Sequence, residues 1–260
     1  MKTFANIKFS RNQIKSIAIF AMLLNHISYI FMDGSSFIGY TFTNIGYFTA
    51  ITMCYFLVEG YFHTHSRKSY AKRLLIFAFI SQFPFCLALT KNAIISFMGF
   101  NMMFSLFLCF ILIYCHVNII NPFKRVFFSG IIIILSCFCD WSFIAPAFTL
   151  FFLLAKEGRI SKMKAFIYSA LSFGAFNFIS SLGYVPLRFN FLSALLNITA
   201  PIIAGIIITF FYDDTKKTRA SKFSKWFFYV FYPAHLLILG MIRLYLMDLQ
   251  NVFVTGITIL

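Results

Sequence analysis

The sequence predicts an all-α, polytopic membrane protein: about nine transmembrane helices forming one domain over residues 1–260, with the N-terminus in the cytoplasm. Three observations support this. Hydrophobic residues make up 61% of the chain, and charged residues only 11%, whereas soluble domains average about 25% charged residues. The apolar residues form long runs, and the cations lie between those runs. A soluble fold could not cover so much apolar surface with so few charges.

A helix of about 20 apolar residues is long enough to cross the hydrocarbon core of a bilayer. The apolar runs predict nine such spans, of which the fifth and sixth are separated only by the tight break at Asp140-Trp141. The predicted spans are 14–32, 45–62, 72–89, 97–120, 123–139, 141–155, 165–183, 189–211 and 226–247.

The loop charges predict the orientation of these spans. Of the 22 Lys and Arg residues, 19 fall in the N-terminal tail and in the second, fourth, sixth and eighth loops, for example Lys2, Arg67 and Lys216. Because cytoplasmic loops carry the excess of cations, we expect a cytoplasmic N-terminus and an external C-terminus. Short basic clusters of this kind favour contact with the lipid bilayer, and nucleic acid is not expected as a partner.

The first helix carries an unusual polar face. Asn25 and His26 lie near its middle, where an ionisable side chain is costly and usually functional. Lys15, His26 and Asp33 are separated by 11 and 7 residues, so at 100° per residue they fall within about 20° of one line. We therefore predict one face with a cation, an imidazole and a carboxylate.

Further polar residues lie in other apolar runs. His235 is near the middle of the ninth span, so it could meet His26, and Pro233 should kink that helix. Glu59 lies near the cytoplasmic end of the second span, where Arg73 and Lys72 are the expected partners.

These residues allow more than one function. A neutral histidine in a dry site can act as a general base, and a mouth lined by Lys15, Lys72 and Arg73 would suit a phosphate-bearing donor. Together they describe acyl transfer from a cytoplasmic acyl-CoA. The histidines could instead only bond neighbouring helices, Glu59 and Arg73 could form a structural ion pair, and a proton-coupled transporter would use the same residue types.

Four segments resemble the TraX family, named for the conjugation protein that N-acetylates F-type pilin, and together they extend from Ile14 to about Leu239. The segments read IKSIA…MLLNHI from Ile14, FLVEGY…T..RKSYAKRLL from Phe56, FAFISQFPF from Phe77 and KWFFYVFYPAHLL from Lys225.

The resemblance implies a multi-pass protein of the bacterial cytoplasmic membrane, similar to integral-membrane acyltransferases, which also carry a histidine in the first helix. It implies acetyl-CoA as donor, no metal, and an amine or hydroxyl acceptor on a peptide, a pilin-like protein or an envelope glycan. The expected catalytic group is His26, Asn25, His235 and Glu59. The expected substrate-binding group is Lys15, Arg73, Gln82 and Tyr232.

The chain departs from the family at one position. Members usually have Asp-His in the first helix, where this chain has Asn25-His26. An amide can orient the imidazole but supplies no charge. The alternatives to an acyltransferase are therefore a proton-coupled transporter and a catalytically inactive membrane component.

Overall fold

The computed structural model describes residues 8–91, 95–213, 215 and 222–257, and this part of the chain is helical apart from short connections. Some loop cations used to predict orientation, such as Lys2 and Lys216, lie outside these residues. The α-helices are α1 Arg11–Phe31, α2 Phe37–His63, α3 Arg67–Leu89, α4 Met102–Asn118, α5 Pro122–Leu135, α6 Ile144–Lys156, α7 Lys162–Ser180, α8 Leu187–Asn197, α9 Thr199–Ile206 and α10 Lys222–Ile257.

Each predicted span coincides with a helix or, at 189–211, with α8, α9 and a π-helical turn, Ile207–Phe211, taken together. Among the described residues, five segments are long and apolar enough to cross a membrane: α1, α2, α3, Leu187–Phe211 and Trp226–Leu249. The fourth, fifth and sixth helices are shorter than predicted, at 17, 14 and 13 residues. The prediction of a helical membrane bundle is therefore confirmed, with five rather than nine segments that meet the length and hydropathy of a membrane span in the described part of the chain.

Local sequence explains where most helices begin. Ser10 accepts a hydrogen bond from the Gln13 backbone, and the Gln13 side chain bonds the Ser10 backbone, so α1 starts with a capping box. At α2, α3, α4, α5 and α7 the cap is simpler: the side chain before the helix accepts one backbone hydrogen bond, at Ser36, Ser66, Asn101, Asn121 and Ser161. These caps satisfy backbone N–H groups that have no partner within the helix.

The start of α6 follows a different pattern. Phe143, the residue before it, has a φ of 58° and no side-chain cap, and Trp141 has a φ of 61°. Left-handed backbone at two bulky residues is strained. Parallel bridging between Phe100 and Cys139 holds the turn against the start of α4.

The helices pack around α2. It lies between α1, α6 and α9, while α3 packs against α4 and α10, and α10 closes the bundle against α1. Close approach of α1 and α2 depends on Gly46, because a Cβ at that position would overlap the Asn25 side chain. A second bridge, between Phe9 and Tyr212, ties the segment before α1 to the end of the π-helical turn.

Candidate functional site

A cavity of about 790 Å³ lies between α1, α2, α3 and α10, and it is closed on one side by the turn before α6 and by α7. The three cations Arg11, Lys15 and Arg73 line one part of it, which we call the basic end. Asp140, in the turn before α6, lines another part, which we call the acidic end. His26 lines the cavity between them on α1.

His26 and His235 meet, as the sequence predicts. Nε2 of His235 lies 3.0 Å from Nδ1 of His26, and both side chains are buried. Nδ1 of His235 lies 2.8 Å from the carbonyl oxygen of Phe231, one turn earlier on α10.

These two bonds assign the tautomers of the neutral pair. A carbonyl oxygen only accepts, so Nδ1 of His235 carries a proton and its Nε2 is an acceptor. Nδ1 of His26 must therefore donate to it. The remaining nitrogen of His26, Nε2, is left with a lone pair, which is the form a general base needs.

The basic end contains the predicted Lys15 and Arg73 and also Arg11, which sequence reasoning missed. Lys15 Nζ lies 5.2 Å from the centre of the Phe228 ring, and Arg73 Cζ lies 5.6 Å from that of Tyr70. Arg11 donates to the Phe56 carbonyl oxygen at 3.0 Å. A signal for Arg11 was present, since it precedes Lys15 by one turn on the same face. Lys72 is exposed and lies outside the cavity lining, contrary to expectation.

The cations of the basic end lack acidic partners within the described residues. None of the ion pairs there involves Arg11, Lys15 or Arg73. The Nε atoms of Arg11 and Arg73 are buried, and neither has a hydrogen-bond partner among the residues that the structure describes. Cations without acidic partners and with free donors are suited to binding an anion.

Asp33 was predicted to lie on the same face of α1 as Lys15 and His26, and this prediction is wrong. α1 ends at Phe31, and Asp33 lies in the exposed turn that follows, where its carboxylate accepts hydrogen bonds from the Ser35 backbone and hydroxyl. These bonds lower the pKa of Asp33. The helix stops before the seven-residue spacing is complete, so Asp33 does not share the face of Lys15 and His26.

Asp140 is instead the one Asp or Glu among the described residues that line the cavity. The sequence marked it only as a break between two spans, although a carboxylate inside an apolar stretch was a usable signal. Its carboxylate has no ion-pair partner in the described part of the chain, and burial raises its pKa to about 6.

Asn25 lines the cavity beside His26, but its amide is engaged elsewhere. Nδ2 donates to the Thr43 carbonyl oxygen on α2 at 3.0 Å. The imidazole of His26 contacts His235 and bonds the Met22 backbone. Asn25 therefore joins α1 to α2 in this arrangement.

Glu59 pairs with Lys156 of α6 at 3.0 Å and with His63 at 3.7 Å. The expected ion pair with Arg73 is therefore wrong, because α2 turns Glu59 towards α6 while Arg73 lies on α3. Glu59 is also not one of the residues that line the cavity.

Gln82 and Tyr232 lie in different surroundings. Tyr232 lines the cavity, and its hydroxyl accepts a hydrogen bond from the Met102 backbone. Gln82 lies outside the lining, donates to the Gly99 carbonyl oxygen at 2.8 Å and accepts from the Asn101 side chain at 2.9 Å. Gln82 thus secures the connection between α3 and α4.

Metal ligands are not clustered in this part of the chain. Within residues 8–91, 95–213, 215 and 222–257, no group of three or more His, Cys, Asp or Glu side chains could hold an ion.

Comparison with known proteins gives a family and a relative. The chain is 27% identical over 248 residues to the "Probable fimbrial assembly protein FimC, serogroup H1" of Dichelobacter nodosus, covering 93% of this chain and 98% of that protein. No solved structure is significantly similar to this chain. The profile of the family described as "TraX protein" matches residues 10–243. The chain therefore belongs to the TraX family.

Proposed function

We propose that this protein is a membrane acyltransferase that moves an acetyl group from acetyl-CoA to an amine or hydroxyl of a peptide, a pilin-like protein or an envelope glycan. The observation that carries the proposal is one cavity that joins an unpaired cationic end to a histidine with a free lone pair. The similarity to a protein named for fimbrial assembly favours a pilin-like acceptor.

The basic end would bind the donor. The phosphates of CoA are anionic, and Arg11, Lys15 and Arg73 supply donors that no carboxylate among the described residues occupies. Lys15 and His26 are 11 residues apart on one helix, which is about 16 Å. A long, flexible pantetheine arm running along α1 would bring the thioester from the basic end towards His26.

His26 would be the general base. Its Nε2 takes the proton of the acceptor as the acceptor attacks the thioester carbonyl carbon, and the thiolate of CoA leaves and receives that proton. His235 would hold the ring and stabilise the imidazolium through the Phe231 carbonyl oxygen. Asn25 and Tyr232 would shape the wall beside the reacting atoms, while Glu59 and Gln82 would support the fold.

The orientation belongs to the same proposal. The basic end lies where α1 and α3 begin, and the loops nearby carry most of the cations. We propose that this end faces the cytoplasm, where acetyl-CoA is made, and that the protein lies in the bacterial cytoplasmic membrane.

The test is binding of acetyl-CoA to detergent-purified protein, measured by thermal shift. A ligand that binds only the native state raises the melting temperature in a saturable manner. We expect a saturable shift in wild type. We expect Arg73→Ala to lower the affinity for acetyl-CoA by about tenfold or more, the loss typical of one charge-assisted bond. Lys68→Ala is the matched control, because Lys68 is exposed on the same helix and lies outside the cavity lining.

Either outcome is informative. A shift that the Arg73 variant weakens and the Lys68 variant preserves would support an acyl-CoA site at the basic end. Absence of any shift at millimolar acetyl-CoA, in folded protein, would contradict the proposal and favour a transporter or an inactive family member.

A further inference from the structure

Asp140 is an unused carboxylate in the same cavity. Its side chain is half-buried, it lines the cavity, and no Lys, Arg or His pairs with it among the described residues. The carboxylate accepts a hydrogen bond from the Trp141 backbone, but no cation compensates its charge, and a desolvated negative charge is unfavourable without one. The acyl-CoA site does not need Asp140, since an anion is repelled by it.

The turn that carries Asp140 is firmly held. The Asp140 N–H donates to the Phe100 carbonyl oxygen at 2.7 Å, and the Ser105 hydroxyl of α4 donates to the Asp140 carbonyl oxygen. The next residues include the two with left-handed backbone, Trp141 and Phe143. Strain of this kind at a cavity wall persists where the surrounding structure fixes it, and it is common at functional sites.

Aromatic rings complete the acidic end. Trp141 lies edge-to-face with Tyr47 at 5.9 Å and stacks on Phe173 at 5.3 Å. Tyr29 and Tyr232 lie within electrostatic range of the Asp140 carboxylate. A carboxylate among aromatic faces suits an organic cation, which gains from both the charge and the ring quadrupoles.

We propose that Asp140 binds the acceptor by pairing with its protonated amine at the acidic end of the cavity. This inference rests on the acyl transfer proposed above. What is new is the role in acceptor binding, which it assigns to a residue that the family resemblance did not indicate; an amine acceptor agrees with that resemblance.

The same contact gives a balanced reaction. The ammonium passes one proton to the Asp140 carboxylate and becomes a neutral amine. Its nitrogen attacks the thioester carbonyl carbon, His26 removes the second proton, and the carbon–sulfur bond breaks. The thiolate takes the proton from His26, so the products are the amide and CoA thiol, and Asp140 releases its proton to water. An α-ammonium has a pKa near 8, so this deprotonation is a modest cost.

The experiment compares two small probes of nearly equal shape, 2-phenylethylammonium and 2-phenylethanol, on purified protein with and without saturating acetyl-CoA. We expect wild type to show a saturable thermal shift with the ammonium at a concentration at least about tenfold lower than with the alcohol. Asp140→Asn should remove that preference and keep the acetyl-CoA shift. Asp33→Asn is the control, because Asp33 is an exposed carboxylate outside the cavity lining.

The outcomes separate the two proposals. Equal binding of both probes by wild type would overturn the role of Asp140 even if the Asn variant fails to fold. An unchanged ammonium preference in Asp140→Asn would overturn it as well. A wild type that binds the ammonium through Asp140 but never binds acetyl-CoA would instead refute the acyltransferase and retain the cation site.

Discussion

At the scale of single residues, the contact between the two histidines governs the proposed chemistry. The Phe231 carbonyl oxygen can only accept, so the proton of neutral His235 is on Nδ1. Its Nε2 must then accept from Nδ1 of His26, which leaves Nε2 of His26 unprotonated. The arrangement resembles a triad in its logic: one group reacts, a second orients it, and a third fixes the tautomer of the second.

We predict that His26→Ala lowers acetyl transfer by about 10²–10⁴-fold, the usual contribution of a general base, while the acetyl-CoA thermal shift stays within error of wild type. The measurement is release of CoA thiol in the presence of an amine acceptor. His65→Ala is a suitable comparison, since His65 is exposed and lies outside the cavity lining. Wild-type turnover in the His26 variant would exclude this residue as the base.

The sequence could predict the histidine contact, because each residue lies midway along an apolar run and depth in the bilayer follows from residue count. It could not predict the partner of Glu59, since charge complementarity alone does not tell which of several cationic loops an α2 residue faces. Asp33 was misplaced for a related reason: helical periodicity extrapolates only while the helix lasts, and α1 ends two residues earlier.

At the scale of elements, close packing of α1 on α2 positions the cavity wall. Gly46 lets the Asn25 side chain fit against α2, where Nδ2 reaches the Thr43 carbonyl oxygen. Small residues allow this kind of approach between membrane helices. Some boundaries differed from prediction, because the caps Ser36 and Ser66 start α2 and α3 before the predicted span starts at 45 and 72, and the strained start of α6 has no local sequence signal.

We predict that Gly46→Ala destabilises the protein by about 1–3 kcal/mol, because the new methyl group overlaps Asn25 and forces the helices apart. Gly130→Ala, in α5, meets nothing within 4 Å and should be neutral or stabilising by up to about 1 kcal/mol. Thermal unfolding of both variants in the same detergent measures the difference. A Gly46 variant as stable as wild type would show that the α1–α2 contact can relax without loss.

At the scale of the whole molecule, the cavity connects ends of opposite charge, and its use depends on which side each end faces. The number of helical segments was predictable from hydropathy. The number of segments able to cross a bilayer was not, because α4, α5 and α6 have only 17, 14 and 13 residues, and α7, with 19 residues, is not apolar enough.

We predict that the loop containing Ser161 faces the cytoplasm and the turn containing Ser35 faces outwards. Single cysteines introduced at these exposed positions should react differently with a membrane-impermeant maleimide added to intact cells. The background should carry Cys137→Ser, because Cys137 is an exposed native thiol. Labelling of Ser161→Cys but not Ser35→Cys would reverse the orientation and place the basic end outside.

The bond between His26 and His235 also has a consequence for the order in which the proposed site is assembled. Its two rings are 209 residues apart and belong to the first and last helices of the described chain. During synthesis, α1 enters the membrane before α10 exists, so the imidazole of His26 at first has its bond to the Met22 backbone but not its contact with His235. A nascent chain that lacks α10 therefore has one half of the histidine pair, and the proposed base gains its second ring only when the last helix packs against the first.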